Sequence, residues 1–203
     1  MSTYDKIMET TYELCTEKGF NNVSLSDICK KSGIGSGTVY YYFKSKDELM
    51  ESVLIKFILE KFYINFQKTQ LNTKNTKEQL KALYNELLGL DKNYKPRVYD
   101  KETDQETYKH VLSLLSEGIQ NNPTMKKEYS KYNNMYTQMI KKILLDGIKK
   151  REVKSDLNLD DSLIIIKTSI HGLYFMIMSN EDYNLKKLVE TNFEYVWNSI
   201  KQV

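Results

Sequence analysis

SLSDICKKSGIGSGTVYYYFKSKDEL, residues 24–49, packs two short helical signals, a glycine turn and the start of a third helix into one stretch. Ser24 is an N-cap residue whose hydroxyl accepts an otherwise unpaired backbone N–H, and Asp27 stands at the reciprocal position of a capping box. Leu25, Ile28 and Cys29 give that first helix a small inward face. Gly33 then supplies the left-handed turn that ends it, and Ile34 follows as an inward anchor. In the second helix, within residues 35–44, Val39 and Phe43 lie four apart and share one face. Helix residues project about 100° apart, so Tyr40, Tyr41 and Tyr42 cannot all join that face, and at least one must be exposed. An exposed tyrosine beside lysine suits a nucleic acid, because its ring packs on sugars or thymine methyls while its hydroxyl reaches phosphate. Ser45 with Glu48 forms a second capping box, and Lys46 follows in the first turn, where ammonium and free N–H groups favour a phosphate. Between Ile28 and Lys46 the charged residues are Lys30, Lys31, Lys44 and Lys46, a wholly basic strip. The stretch reads as a helix-turn-helix, about residues 25–44, that grips DNA.

The run of Gly19, Phe20, Ser24, Asp27, Ile28, Gly33, Gly37, Thr38, Val39, Tyr40, Tyr42, Phe43, Lys46 and Leu49 resembles the DNA-binding signature of the TetR family of transcriptional regulators. The resemblance covers about the first quarter of the chain. It implies that Ser26, Ser36, Gly37, Tyr40 and Tyr41 approach bases, and that Ser24, Thr38, Tyr42 and Lys46 hold phosphates. Two positions depart from the pattern: Gly35 stands where a capping serine is common, and Ser36 where a basic residue is frequent. Base reading then rests more on Tyr40 and Tyr41. Two glycines also weaken the helix start, by up to ~1 kcal/mol each relative to alanine.

The 203 residues carry a net charge of only +3, so a nucleic-acid surface must be a local patch and not a global field. Cys15 and Cys29 sit in helical patterns without zinc-ligand neighbours, as in a reducing compartment. The N-terminal sequence lacks a secretory pattern, so a cytoplasmic location is expected. No nucleophile elbow, zinc-protease pair, phosphate-binding glycine loop or Cys/His cluster is present. The paired acids Asp160 and Asp161 read as helix-start residues. Neither enzyme activity, metal nor cofactor is expected.

With only Pro96 and Pro123, the chain is open to long helices. Ile7, Met8, Thr11, Leu14 and Cys15 mark a first helix over about residues 3–18, ended by Gly19 and anchored by Phe20. A fourth begins at Ser45 and runs through Val53, Phe57, Phe62 and Phe66 to about Gln70. Thr76 with Gln79 caps a fifth, and residues 92–102, holding Pro96 and Tyr99, read as a loop. Thr103 with Glu106 caps a sixth, Asn122 with Pro123 a seventh, Asn158 an eighth, and Leu185 to Ile200 form a ninth. The expected fold is all-α: an N-terminal three-helix helix-turn-helix DNA-binding domain, residues 1–48, joined by a long helix to a C-terminal helical ligand-binding and dimerisation domain, residues 49–203. Lys167 and His171 interrupt the most apolar helix, which argues against a membrane span.

Tyrosine and methionine crowd the middle helices. Tyr84, Tyr108, Tyr132, Met135, Tyr136, Met139, His171 and Phe175 are candidates to line a pocket for a hydrophobic or aromatic effector, the same residues serving equally as ordinary core. Ile166, Ile170, Leu173, Leu188, Phe193, Val196 and Trp197 are candidates for a dimer interface through the last two helices, an arrangement the resemblance implies and that would set two recognition helices on a pseudo-palindromic double-stranded DNA operator. The resemblance thus implies a repressor released by a small molecule. The alternatives are an architectural or cell-cycle DNA-binding protein without an inducer, and a module regulated by a protein partner.

Overall fold

The computed structural model of the chain describes residues 1–19, 22–60, 75–93, 95, 97–98, 101–179 and 182–202. The helices are α1 Thr3–Lys18, α2 Leu25–Ser32, α3 Ser36–Tyr42, α4 Lys46–Leu54, α5 Thr76–Leu87, α6 Gln105–Asn121, α7 Pro123–Lys149, α8 Leu159–Met178 and α9 Leu185–Ile200. A π-helical segment, Ile55–Leu59, continues α4. The expected passage of α4 through Phe62 and Phe66 to Gln70, and the calls on Phe20, Pro96 and Tyr99, lie outside the described residues. Two-residue strands β1 Arg97–Val98 and β2 Lys101–Glu102 pair antiparallel in the stretch read as loop. Apart from an isolated bridge between Val153 and Lys201, the regular structure among the described residues is otherwise helical.

The chain divides into two compact units, residues 1–61 with 103–130, and 62–102 with 131–203. In the first, α1 is the centre. Ile7, Met8, Thr11, Leu14 and Cys15 are all buried, as their spacing dictates, and so are Thr10, Tyr12 and Thr16. Two buried flanks are needed because α1 packs on α2 and α4 and also on α6. The three-helix motif therefore does not close its core alone. His110 of α6 bonds through Nδ1 to the Thr16 carbonyl at 2.9 Å, one of the carbonyls left free at the end of α1. Asn122 donates to Glu51 at 2.6 Å, tying the start of α7 to α4.

In the second unit α8 and α9 pack on each other, and α9 also meets α5. Tyr84 of α5 meets Phe193 of α9 edge to face, with centroids 5.2 Å apart. Among the described helices only α8 is apolar and long enough to cross a membrane, and its row Ile166, Ile170, Leu173 and Ile177 is buried. The caps of α7 and α8 are the residues read from sequence: Asn122 accepts from the Met125 N–H and Asn158 from those of Asp160 and Asp161. Two others shift by one residue. Asn75, not Thr76, caps α5, and Asp104, not Thr103, caps α6. Thr76 is instead fully buried, its N–H donating to the Glu152 carboxylate at 2.7 Å. That partner is distant in sequence, so local pattern could not choose between two adjacent cap formers.

Thr76 also faces Gly147 of α7. A Cβ on Gly147 would lie 2.7 Å from both Thr76 Cγ2 and Val153 Cγ2, on two β-branched side chains with little freedom to turn away. Gly147→Ala gains up to ~1 kcal/mol of helix propensity but meets overpacking of about 1–3 kcal/mol. Thermal unfolding should show a net fall of roughly 2–4 °C for each kcal/mol lost. A rise in melting temperature would show that the site accommodates a methyl group.

Candidate nucleic-acid interface

Each helix of the motif is positioned by a local device. In α2 the Ser24 hydroxyl accepts the Asp27 N–H at 3.1 Å, and the Asp27 carboxylate accepts the Ser24 N–H at 2.9 Å, completing the capping box. The Ser24 hydroxyl and N–H and the Lys18 ammonium hold the Asp27 carboxyl down at about 2. A depressed carboxyl stabilises the fold above its ordinary titration range and loses that effect as pH falls toward the folded value, so the cap is intact near neutrality. Gly33 closes α2 with φ of 68°, in the left-handed region that favours glycine. Ile34 beyond it is half-buried, and its N–H donates to the buried Ser32 at 3.2 Å.

Helix α3 begins at Gly35 without a side-chain cap, which follows from the glycine found there in place of serine. Val39 and Phe43 are buried. All three tyrosines between them are exposed, where one was the minimum that helix geometry required: Tyr40 is 55% exposed, Tyr41 82% and Tyr42 38%. Ser24, Ser26, Ser36, Gly37 and Thr38 are exposed as well, and Lys46, in the first turn of α4, is half-buried. Ser45 caps α4 through the Glu48 N–H at 3.1 Å, but Glu48 returns to the N–H of Lys44 at 2.7 Å and not to that of Ser45. The reciprocal arm of this box thus lands one residue early. The basic strip is also weaker than its sequence suggests. Lys31 is paired with Glu17 at 2.6 Å and Glu13 at 3.4 Å on α1, whereas Lys30 and Lys44 are exposed.

The ligand and dimer candidates are sorted differently by the fold. Tyr84, Tyr132 and Tyr136 are buried in the second unit with their hydroxyl oxygens shielded from solvent, and Met135 and Met139 are half-buried. Burial pushes the Tyr84 hydroxyl well above the usual tyrosine range. Tyr108 is buried in the other unit. Phe175, 70% exposed, and His171, also exposed, point outward, so neither lines an interior site in this arrangement. They sit on the opposite side of α8 from its buried row.

The dimer candidates divide between the chain's own core and the α8–α9 groove, which Leu173, Leu188 and Val196 line. Ile166 and Phe193 have no exposed surface in the single chain, and Ile170, Leu173, Val196 and Trp197 are buried, because the α8–α9 pair spends these residues on its own core. Leu188 alone of the set is half-buried. The apolar surface left on this pair is Ile165, 53% exposed, with Ile164, Phe175, Met176 and Tyr195. Between the two helices lies a groove of about 800 Å³ lined by Ile165, Met176, Leu188, Thr191 and Tyr195 among others. Periodicity marks α8 as apolar nearly all round, but it carries no signal for which stripe the chain keeps for itself.

The family profile described as bacterial regulatory proteins, tetR family, matches residues 7–53. The HTH-type transcriptional regulator YttP of Bacillus subtilis is 29% identical over 160 residues, 75% of this chain and 68% of that protein. The fatty acid metabolism regulator protein of the same organism is 24% identical over 202 residues, 97% of this chain and 95% of its own length. In fold, the chain is similar to a transcriptional regulator from Saccharomonospora viridis crystallised with choline, with a TM-score of 0.79, 17% identity and 98% of each chain covered.

Proposed function

Because the chain belongs to the TetR family of transcriptional regulators, we propose that it acts as a homodimeric repressor that leaves a pseudo-palindromic operator when a small hydrophobic or aromatic molecule binds. The observation that carries the reading is α3, a helix with two buried anchors and three exposed tyrosines followed by Lys44 and Lys46. Tyr40 and Tyr41, with Ser26, Ser36 and Gly37, read bases in this proposal. Ser24, Thr38, Tyr42 and Lys46 hold phosphates. The division of tasks is residues 1–48 for DNA and 49–203 for effector and dimer, and it cuts through a compact unit, since α4 and α6 pack on α1.

The outer face of α8 and α9 is the proposed contact between copies. Its groove is apolar. Gly172 is open, with nothing beyond its neighbours and its own helix backbone within 4 Å of an added Cβ among the described residues, and it falls on the stripe of Ile165, Ser169 and Met176, where a partner helix can approach closely.

The buried residues Tyr84, Tyr132 and Tyr136 of the second unit, with the half-buried Met135 and Met139, are the proposed effector region, a reading supported by a relative named for fatty acid metabolism and a fold neighbour crystallised with choline. Effector would favour a form that binds operator poorly, so operator must weaken effector binding by the same factor. Operation on DNA places the protein in the cytoplasm.

The test is a titration of the purified protein against the DNA upstream of its own gene at two salt concentrations. Binding should be sequence-selective and weaken steeply with salt, while Lys46→Ala should weaken every sequence alike and reduce the salt slope by about one for each phosphate contact removed. Salt-insensitive binding without sequence preference would remove the reading.

A further inference from the structure

Helix α3 is seven residues long and has no side-chain cap at its start, so contacts at its end add to the buried Val39 in fixing its direction. The contacts there converge on Tyr4, in the first turn of α1. Its ring stacks on Phe43, the C-cap of α3, with centroids 5.2 Å apart and planes 25° apart. It also meets Tyr42 edge-on at 5.8 Å, and Tyr42 meets Tyr41 at 5.1 Å and 84°. A cation also lies against the Tyr4 ring: Lys56 Nζ is 5.7 Å from its centroid and 5.5 Å from that of Phe57. The same ammonium bonds the Asp5 carboxylate at 2.8 Å, and Asp5 is itself held by the Ser2 hydroxyl at 2.7 Å.

We propose that Tyr4 is a positioning residue for the recognition helix, and that Lys56, presented by the π segment of α4, holds the Tyr4 ring in place. This rests on the reading of α3 as the DNA-facing helix. The Asp5–Lys56 pair is half-exposed and alone contributes little, so the consequence of the lysine lies in the ring it covers. Its position depends on the helix register. Residues 55–59 are wound with the Glu60 N–H donating to the Ile55 carbonyl, one residue wider than an α-turn. A shift of one residue turns a helix position by about 100°, enough to carry Lys56 off the ring and off Asp5 together. The register of α4 is thereby linked to the placing of Tyr42 and Tyr41 through side chains that never touch DNA.

The experiment selects duplexes from a randomised library on the wild-type protein, then measures affinity for a selected duplex and for a scrambled duplex of equal length. Tyr4→Ala should lose about tenfold on the selected duplex and less than about twofold on the scrambled one, since the basic side chains are untouched. Tyr4→Phe keeps the ring and should behave as wild type. Lys56→Gln should lose part of the selectivity alone and nothing more when added to Tyr4→Ala, the non-additivity expected of residues acting through one contact. Equal losses on both duplexes, or a lowered melting temperature that Tyr4→Phe does not restore, would reduce Tyr4 to a fold residue and overturn the proposal. Full selectivity in Tyr4→Ala would overturn it while leaving α3 as the reading helix. If the wild type enriches no sequence at all, the DNA reading falls and this proposal falls with it.

Discussion

Ile165→Asp combined with Tyr195→Asp is expected to convert the protein from dimer to monomer and to lower operator affinity by about 100-fold or more, the scale set by losing a linked second binding site. Tyr195 is 83% exposed and Ile165 53% in the single chain, so the fold of one copy loses little packed surface when they become acidic. In a two-fold interface each change occurs twice, and burying four carboxylates against apolar surface without partners is costly enough to abolish association. Sedimentation velocity reads the oligomeric state, and the same preparation gives the DNA affinity. Phe193→Asp is the contrasting control. Phe193 has no exposed surface and touches Tyr84, so that change should unfold the chain, not separate two folded copies. A double variant that still sediments as a dimer would rule out this face.

Tyr40→Ala and Tyr41→Ala are each expected to weaken binding to the operator by about 5- to 150-fold per half-site, the worth of about 1–3 kcal/mol for a good base contact. The melting temperature should change little, because surface side chains away from packed features shift stability by about 0.5 kcal/mol or less. Tyr41 is the sharper case, at 82% exposed with its only described ring contact on Tyr42. Binding to unrelated DNA should fall much less, since phosphate contacts remain. If both variants keep their preference for operator, the reading surface lies elsewhere on the motif, and Ser26 and Ser36 become the residues to change.

The contrast between those two tests shows where sequence reading stopped. Helix α1 was legible in its span and its end: Gly19 ends it, and its five-residue stripe is buried as spacing required, while the Ser2 cap at its start appears only in the structure. The motif was legible too, because its signals are local. A capping box joins residues three apart, and a left-handed turn needs glycine at one position. The exposed side of α3 followed from helix geometry alone. By contrast, Thr103 and Thr76 lost the cap to Asp104 and Asn75. For Thr76 the deciding partner was Glu152, which no local window contains.

What the sequence determined by itself was therefore the set of helices, the helix-turn-helix and the exposure of at least one of its three tyrosines, all consequences of interactions within a few residues. Which apolar stripe of α8 the chain buries, and so the outward place of Ile165 and the inward place of Ile166, was decided only by tertiary structure. Two adjacent isoleucines on an apolar helix differ only in the direction they face, and that direction is set by α9, which packs against one side and leaves the other open. The pairing of Lys31 with Glu13 and Glu17, and the meeting of Lys56 with Tyr4, were fixed in the same way, by elements that are distant along the chain and adjacent once α1 is packed.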